Sequence, residues 1–232
     1  MERLDKVISN LTCISRTDAR RLIKIGKVSV DGVRAKSFSQ KVDGSSKICV
    51  DGKELKVEDH VYIMLNKSAG FVCDDKAKFP YVLELLPQDM QRKVLFCVGR
   101  LDKDTTGLLL ITNDGEFAHK VISPKSNVFK RYCATLEKPI TQSDIKRISA
   151  GLTLSDGTEL LPAMVEVKNS EGTQVDFVIQ EGKYHQIKRM AGACENKVLS
   201  LHRKSIGALS LGETADGQAV YLDKSLAQKV FE

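Results

Sequence analysis

A polar loop between two apolar segments carries the residues best suited to chemistry. Residues 95–98 and 108–111 are apolar, and the loop between them contains an arginine and two aspartates. A charged loop between two buried strands is a common place for a functional site. A carboxylate there can act as a nucleophile or a base, and a pair such as Asp102 and Asp104 is what a glycosidase uses. The alternative is an ordinary turn, in which Asp104 and Thr105 bond to local backbone.

The loop belongs to a longer pattern. Residues 99–115 read GRLDKDTTGLLLITNDG. This segment resembles the signature G-R-L-D-x-x-T-x-G-L-L of pseudouridine synthases, including the T-N-D-G that follows it, and every fixed position is filled. The resemblance implies that Asp102 is the catalytic carboxylate. A glycosidase is disfavoured for a separate reason: the side chains of alternate residues such as Asp102 and Asp104 usually point in different directions.

Three further segments resemble the same family, in the same order. Residues 129–132 (FKRY) include Tyr132, which by resemblance lies against the target base. Residues 181–190 (EGKYHQIKRM) include Lys188, a basic partner for Asp102 where many relatives carry arginine. Residues 201–203 (LHR) include Leu201, which by resemblance packs on the uracil. Without the family, these residues are interpreted as a core tyrosine, a solvated basic helix start and a core leucine.

The resemblance implies that a uridine in RNA is isomerised to pseudouridine. The target base must be flipped out of the RNA, and Arg100 would fill the vacated stack or hold a phosphate, a surface salt bridge being the alternative. Asp102 would act as a nucleophile on sugar or base, or as a base on the sugar, and the sequence leaves these mechanisms open. The predicted catalytic residues are Asp102, Tyr132 and Lys188, and the predicted substrate-binding residues are Arg100, Leu201 and Arg189.

Neither a cofactor nor a metal is predicted. The sequence has no dinucleotide-binding, Walker-type or zinc-protease motif, and its four histidines and six cysteines lack zinc-type spacing. The cysteines are expected to be reduced thiols, since a chain with a core of this size needs no disulfides. The longest apolar runs have five residues, and the N-terminus lacks a signal-peptide core. We therefore expect a soluble, cytoplasmic protein without a membrane partner.

The positive charge of the chain is concentrated in its first quarter. Residues 1–56 contain 13 Lys and Arg against 7 Asp and Glu, whereas residues 57–232 contain 23 of each, so the first segment holds the whole excess of +6. Such asymmetry indicates a basic module for a polyanion, joined to a body with other duties. A soluble domain that happens to be basic is the alternative.

The pattern of the N-terminal segment predicts two short helices followed by small strands. Apolar residues in 4–11 follow helical spacing, Ser15 is placed to cap a second helix, and Asp-Gly pairs at 31–32 and 51–52 are hairpin signals. This arrangement resembles the S4-like RNA-binding domain. An exposed basic stripe on the second helix, with its flanks, is expected to contact phosphates: Arg16, Arg20, Arg21, Lys24 and Lys27.

The remaining residues predict a larger α+β domain. A charged stretch at 56–59 suggests a boundary, giving an S4-like domain at 1–57 and a catalytic domain at 58–232. Predicted strands cover 61–65, 94–98, 108–112, 132–136, 164–167 and 175–179. Predicted helices cover 81–86, 115–121, 142–150 and 186–194. Strands outnumber helices and short turns join many of them, which favours a mixed, largely antiparallel sheet with flanking helices.

Within the superfamily, the chain is most similar to the RsuA branch, on the basis of DTTG at 104–107 and HQIKRM at 185–190. This similarity implies action on small-subunit (16S) ribosomal RNA, at a uridine of the 516 type. The partner would be ribosomal RNA in a small-subunit assembly intermediate, and a monomer is expected. Two alternatives stay open: a synthase acting on large-subunit (23S) RNA, and a non-catalytic RNA-binding protein of ribosome assembly.

Overall fold

The computed structural model describes residues 2–12, 14–43, 45–55, 60–74, 78–91 and 95–232. They form two compact units. The first unit comprises the described residues up to Val61, together with residues 95–96 and 113–115. The second unit comprises the other described residues. The predicted boundary at 56–59, as well as Val94 and Cys13, lies outside the described residues. None of the described helices is long and apolar enough to cross a membrane.

The first unit has two helices packed on small strands, as the sequence predicts. Its elements are β1 (Glu2–Arg3), α1 (Leu4–Thr12), α2 (Arg16–Lys24), β2 (Val28–Val30), β3 (Val33–Arg34), β4 (Lys41–Val42), β5 (Ile48–Val50) and β6 (Lys53–Glu54). An antiparallel sheet has the order β3-β2-β5-β6, and β1 pairs with β4. Leu4 and Ile8 are completely buried in the core of this unit, which fits the helical spacing of its apolar residues.

Local signals place the turns of the first unit. The Ser15 hydroxyl accepts a hydrogen bond from the backbone N–H of Asp18 at 3.0 Å, so it caps α2 as predicted. Both Asp-Gly pairs join antiparallel strands, and Asp31 and Gly32 have φ of 53° and 80°. Positive φ at both central residues matches the right-handed twist of the strands, which is why this dipeptide forms tight hairpins.

The second unit is built on a mixed, largely antiparallel sheet, which confirms the predicted fold class. Its strands are β7 (Tyr62–Lys67), β8 (Phe96–Val98), β9 (Thr106–Thr112), β10 (Lys130–Leu136), β11 (Leu152–Thr153), β12 (Glu159–Leu160), β13 (Met164–Val167), β14 (Gln174–Ile179), β15 (Val198–Ile206), β16 (Leu209–Ser210) and β17 (Ala219–Leu222). Seven of them follow the order β13-β14-β10-β15-β9-β7-β17. Only the β15–β9 pair within this order is parallel.

Four helices accompany this sheet: α3 (Gly115–Ile122), α4 (Gln142–Ala150), α5 (Gln186–Ala193) and α6 (Lys224–Gln228). The predictions for α3, α4 and α5 are confirmed to within one residue at each end. The α-helix predicted at 81–86 is wrong, because the segment forms a 3₁₀ turn at Val82–Leu85. Pro80 and Pro87 bracket it, leaving too few residues for an α-helix, and i→i+3 bonds close the turn instead. Further 3₁₀ turns cover Gln88–Met90, Pro124–Ser126 and Lys229–Phe231.

One glycine of the loop signature is required by the parallel strand pair. Gly107 has φ of +103° and faces Arg203 across the β9–β15 ladder. A Cβ at this position would lie 2.4 Å from the Arg203 carbonyl oxygen, which is a severe clash. Gly107 therefore allows the loop 99–105 to enter the centre of the sheet directly beside β15.

Candidate active site and cationic surface

The second unit has a recess of about 410 Å³ at the loop between β8 and β9. Four of the predicted site residues line it: Arg100, Asp102, Tyr132 and Leu201. Its other lining residues come mainly from the segment that leads into α5, including Lys183, His185 and Gln186. Residues more than 80 positions apart in the chain thus meet in one place.

A buried lysine holds the loop that carries Asp102. Lys67, the last residue of β7, is completely buried, and its ammonium group donates to four backbone carbonyls. The acceptors are Thr105 at 2.8 Å, Ser68 at 3.0 Å, Asp102 at 3.1 Å and Lys103 at 3.3 Å. Burial lowers the pKa of Lys67, although the nearby Cys73 thiol and two loop carboxylates oppose this shift. The sequence analysis assigned no role to this residue.

Replacing Lys67 with methionine should slow the reaction without removing any group that lines the recess. Methionine keeps most of the side-chain volume but leaves four carbonyls without their donor, so the loop loses its anchor. We expect a roughly 10- to 100-fold lower single-turnover rate at saturating RNA, together with a lower melting temperature. Lys103→Met is the control, since it removes a cation from the same loop and leaves its backbone anchor intact. A wild-type rate for Lys67→Met would show that the loop keeps its geometry unaided.

Asp102 is held by an ion pair with Lys188, as the sequence analysis proposed. The Lys188 ammonium lies 2.9 Å from Asp102 Oδ2 and 2.6 Å from Asp104 Oδ1. Burial alone would lower the pKa of Lys188, but the hydrogen bonds that it donates to the two carboxylates raise this pKa above its usual value. Lys188 is therefore a fixed cation at neutral pH, as a partner for an ionised Asp102 must be.

Asp104 differs from its expected position. The sequence analysis expected its side chain to diverge from that of Asp102, but both carboxylates contact the same ammonium group. The tight turn closed by the Thr105 N–H and the Asp102 carbonyl, 3.1 Å apart, brings them to one side of the loop. Lys188 lowers the pKa of Asp104, against the effect of burial. The Asp104 side chain is 73% exposed and does not line the recess, so the two carboxylates are not equivalent.

His185 is a second residue near Asp102 that the sequence analysis did not assign. Its Nε2 lies 3.6 Å from Asp102 Oδ1, at the start of α5. The residue has φ of +48°, which is uncommon outside glycine, and its ring stacks on Tyr184 with centroids 3.8 Å apart. The histidine of the YHQ segment could have been chosen as a candidate from the sequence because of its residue type. Its place at the recess goes with the left-handed backbone conformation of His185, which the sequence does not reveal.

Tyr132 and Leu201 come from neighbouring central strands, β10 and β15. Both side chains are 8% exposed, and both line the recess as predicted. Arg203 positions the tyrosine: its Nη1 donates to the Tyr132 hydroxyl at 3.3 Å, and its Nε donates to the Leu108 carbonyl at 2.7 Å. The sequence analysis quoted Arg203 within its motif but gave it no function.

The remaining two predicted substrate-binding residues lie in different places. Arg100 is exposed at the rim of the recess. The Arg189 guanidinium group is paired with the Asp156 carboxylate and lies 3.4 Å from the Thr158 hydroxyl. It is not among the residues that line the recess, and its role in substrate binding stays a prediction.

The first unit presents the predicted cations on its surface, although their arrangement differs from a simple stripe. All five, Arg16, Arg20, Arg21, Lys24 and Lys27, are exposed. Arg16 and Arg20 converge on the Asp5 carboxylate, at 3.2 and 2.8 Å, and Arg3 joins them at 3.0 Å. Asp5 is completely buried, and the ring of Phe38 lies 5.2 Å below the Arg20 guanidinium carbon. One buried anion therefore joins two of the predicted cations, Arg16 and Arg20, to Arg3, while all five predicted cations stay exposed.

Replacing Asp5 with asparagine should destabilise the first unit in a pH-dependent way. Burial alone would raise the pKa of Asp5, but its three arginines hold it far below its usual value of about 3.9. The stabilisation is therefore complete above about pH 4 and is lost as the pH falls below it. We expect a cost of roughly 2–3 kcal/mol at pH 7, below the range for fully buried pairs because the arginines are half-exposed, and a smaller cost at pH 3.

Amide hydrogen exchange of α1 and α2 at both pH values measures this effect for the first unit alone. The matched control is Asp51→Asn, because Asp51 pairs with Lys27 at 3.0 Å in an exposed ion pair. This control should cost under about 1 kcal/mol at either pH. Equal costs for the two variants, or a cost for Asp5→Asn that does not change with pH, would contradict the assignment.

Comparisons with known proteins agree with both units. A family model described as RNA pseudouridylate synthase matches residues 61–193, and an S4 domain model matches residues 2–48. A ribosomal small subunit pseudouridine synthase A of Vibrio vulnificus is 38% identical over 99% of this chain and its own full length. The Escherichia coli K12 protein of that name is 39% identical over 90% of each chain. A crystal structure of a pseudouridylate synthase superposes with a TM-score of 0.72 at 34% identity, covering 99% of this chain and 100% of its own.

Proposed function

This chain belongs to the RNA pseudouridylate synthase family, and on that basis we propose that it isomerises one uridine of small-subunit (16S) ribosomal RNA, at a site of the uridine 516 type. The substrate is a small-subunit assembly intermediate, in which the target base is accessible. The observation that carries the proposal is the 2.9 Å contact between the Asp102 carboxylate and the Lys188 ammonium, at a recess walled by Tyr132 and Leu201.

The recess has the parts that this isomerisation requires. A flipped uracil fits between the Tyr132 ring and the Leu201 side chain, with its sugar toward Asp102. Stacking on an aromatic ring is the usual way in which proteins hold an unpaired base. Arg100, at the rim, takes the place of the base in the RNA stack or holds the adjoining phosphate. Lys188 places a positive charge 2.9 Å from Asp102 Oδ2.

The reaction conserves atoms and electrons. The bond between C1′ of the ribose and N1 of uracil breaks, the base turns within the recess, and a bond forms between C1′ and C5. The proton on C5 leaves, and N1 takes up a proton. Asp102 begins the sequence as a nucleophile or as a base on the sugar. The Tyr132 hydroxyl, which accepts a hydrogen bond from Arg203, assists the removal of the C5 proton.

Mapping of pseudouridine in both ribosomal RNAs, from cells with and without the gene, tests the proposal. We expect one pseudouridine of the small-subunit RNA to disappear on deletion and to return when the gene is restored. Restoration with the Asp102→Asn gene is the matched control, since it supplies the protein without its catalytic carboxylate. Loss of a pseudouridine from the large-subunit RNA instead would move the substrate to that subunit.

Removal of residues 1–57 should weaken RNA binding and flatten its salt dependence. This segment holds the whole charge excess of the chain, and each phosphate contact contributes about 0.7–0.9 to the slope of log K against log salt. We expect the slope to fall by roughly two to four, corresponding to three to five lost contacts. Titration of a labelled rRNA fragment at several salt concentrations measures it. An unchanged slope would mean that these cations do not contact phosphate.

A further inference from the structure

Two cations are buried behind Tyr132. Lys130, on β10, is 7% exposed, and Arg203, on β15, is 4% exposed. The Lys130 ammonium donates to the Gln180 carbonyl at 3.1 Å. The Arg203 guanidinium uses Nε and Nη1 for hydrogen bonds, but among the described residues its buried Nη2 has no acceptor. Buried cations with unused donors are costly unless a partner binds them.

The described part of the chain does not neutralise these two charges. Neither Lys130 nor Arg203 has a carboxylate within 4.0 Å among the described residues. One carboxylate, Glu181, lines the same cavity as these two cations, but its oxygens are engaged by other groups: it pairs with Lys183 at 3.3 Å and accepts hydrogen bonds from Gln186 and from the Leu161 N–H. Lys130 and Arg203 therefore have no carboxylate paired directly with them among the described residues.

Both cations line a cavity of about 830 Å³ that adjoins the catalytic recess. The cavity and the recess share Arg100, Tyr132, Gly182 and Lys183 as lining residues. The other walls include the apolar side chains of Val121, Ile122 and Ile206. The paired charges of Lys183 and Glu181 also line the cavity. Apolar walls around fixed cations strengthen the attraction for an anion, because water screens it less.

We propose that this cavity is an anion-binding subsite that takes a phosphodiester of the substrate RNA adjoining the target uridine. The inference rests on the proposed function, because it assumes that RNA occupies the adjoining recess. A phosphodiester is the anion that RNA carries at every nucleotide, and guanidinium and ammonium groups form strong, charge-assisted hydrogen bonds with it. Uracil is neutral and would leave both charges unbalanced. Burial and the proximity of Arg203 lower the pKa of Lys130 to about 8, which a bound phosphate would oppose.

Methylphosphonate substitution tests the subsite, because it removes the charge of one phosphodiester at a time. The dissociation constant of the full chain is measured for rRNA fragments that carry one neutral linkage at each position around the target uridine. We expect one linkage to weaken wild-type binding by roughly 10- to 100-fold, the range for a hydrogen-bonded charge. In Lys130→Met, the neutral linkage should cost clearly less than in the wild type, because one of the two cations that contact this phosphodiester is gone and only Arg203 remains.

Two further variants distinguish the subsite from general charge and from misfolding. Lys204→Met removes a half-exposed lysine of β15 that pairs with Asp176, and it should keep the full wild-type penalty. Lys130→Arg keeps the charge and should keep most of that penalty. The proposal would be overturned if each neutral linkage weakened binding equally in wild type and Lys130→Met. It would also be overturned if no single linkage weakened wild-type binding more than its neighbours do. This experiment measures affinity, so its result is independent of the mapping experiment. The dependence of the linkage penalty on Lys130 can be detected even if the modified uridine lies in another RNA.

Discussion

The Asp102→Asn variant should fold and bind RNA but lose its activity, with an expected single-turnover rate at least ~10⁴-fold below that of the wild type. Asparagine has the same shape as aspartate but cannot act as a nucleophile or base. It also leaves the backbone carbonyl of residue 102, which accepts from Lys67, in place. The measurement is pseudouridine formed in a fixed rRNA fragment at saturating enzyme, with the dissociation constant measured in parallel.

Asp104 supplies a matched control in the same loop. Its carboxylate contacts the same Lys188 ammonium group as that of Asp102, but it is largely exposed and does not line the recess. Asp104→Asn should therefore keep its rate within about threefold of the wild type, since exposed ion pairs contribute little. A near wild-type rate for Asp102→Asn would remove that residue from catalysis. A large loss in Asp104→Asn alone would transfer the role to Asp104.

Replacing Lys188 with methionine should lower the single-turnover rate by about 30- to 150-fold. The variant keeps the aliphatic part of the side chain but leaves Asp102 and Asp104 facing each other without their shared cation. Removing one partner of a buried pair costs about 3–5 kcal/mol. We expect roughly 2–3 kcal/mol here, because Asp102 is 28% exposed and water screens the loss.

Two variants show whether the effect belongs to this ion pair. Lys188→Arg keeps the charge and should recover most of the rate, within about tenfold of the wild type. Arg189→Met is the matched control, because the neighbouring arginine pairs with Asp156 and does not line the recess. It should leave the rate at saturating RNA within about threefold of the wild type. If Arg189→Met is slow and Lys188→Met is not, the basic partner of Asp102 has been misassigned.

The sequence by itself determined much of this protein, because many of its signals act over short distances. Ser15 caps the helix that it precedes, and the two Asp-Gly pairs close the hairpins that contain them. The loop with Asp102 could be found because its pattern is continuous in the chain. The strand predicted at 132–136 is likewise found, and β10 (Lys130–Leu136) alternates between buried and half-buried positions.

The tertiary structure alone decided which distant groups share their charges and hydrogen bonds. Lys67 is a charged residue at the end of an apolar strand, and nothing nearby in the sequence predicts that carbonyls 35 to 38 residues away will surround its ammonium group. Asp5 meets Arg16 and Arg20 only because two helices pack together.

The same holds for Arg203 beneath Tyr132, where strands 71 residues apart in the chain lie side by side. Its LHR segment is also what an ordinary strand would contain, and only the packing shows that one buried guanidinium nitrogen has no acceptor among the described residues. Local patterns fix backbone conformation over a few residues. The environment of a buried charge depends on chain segments that folding brings together, so it can be assigned only when the packing is known.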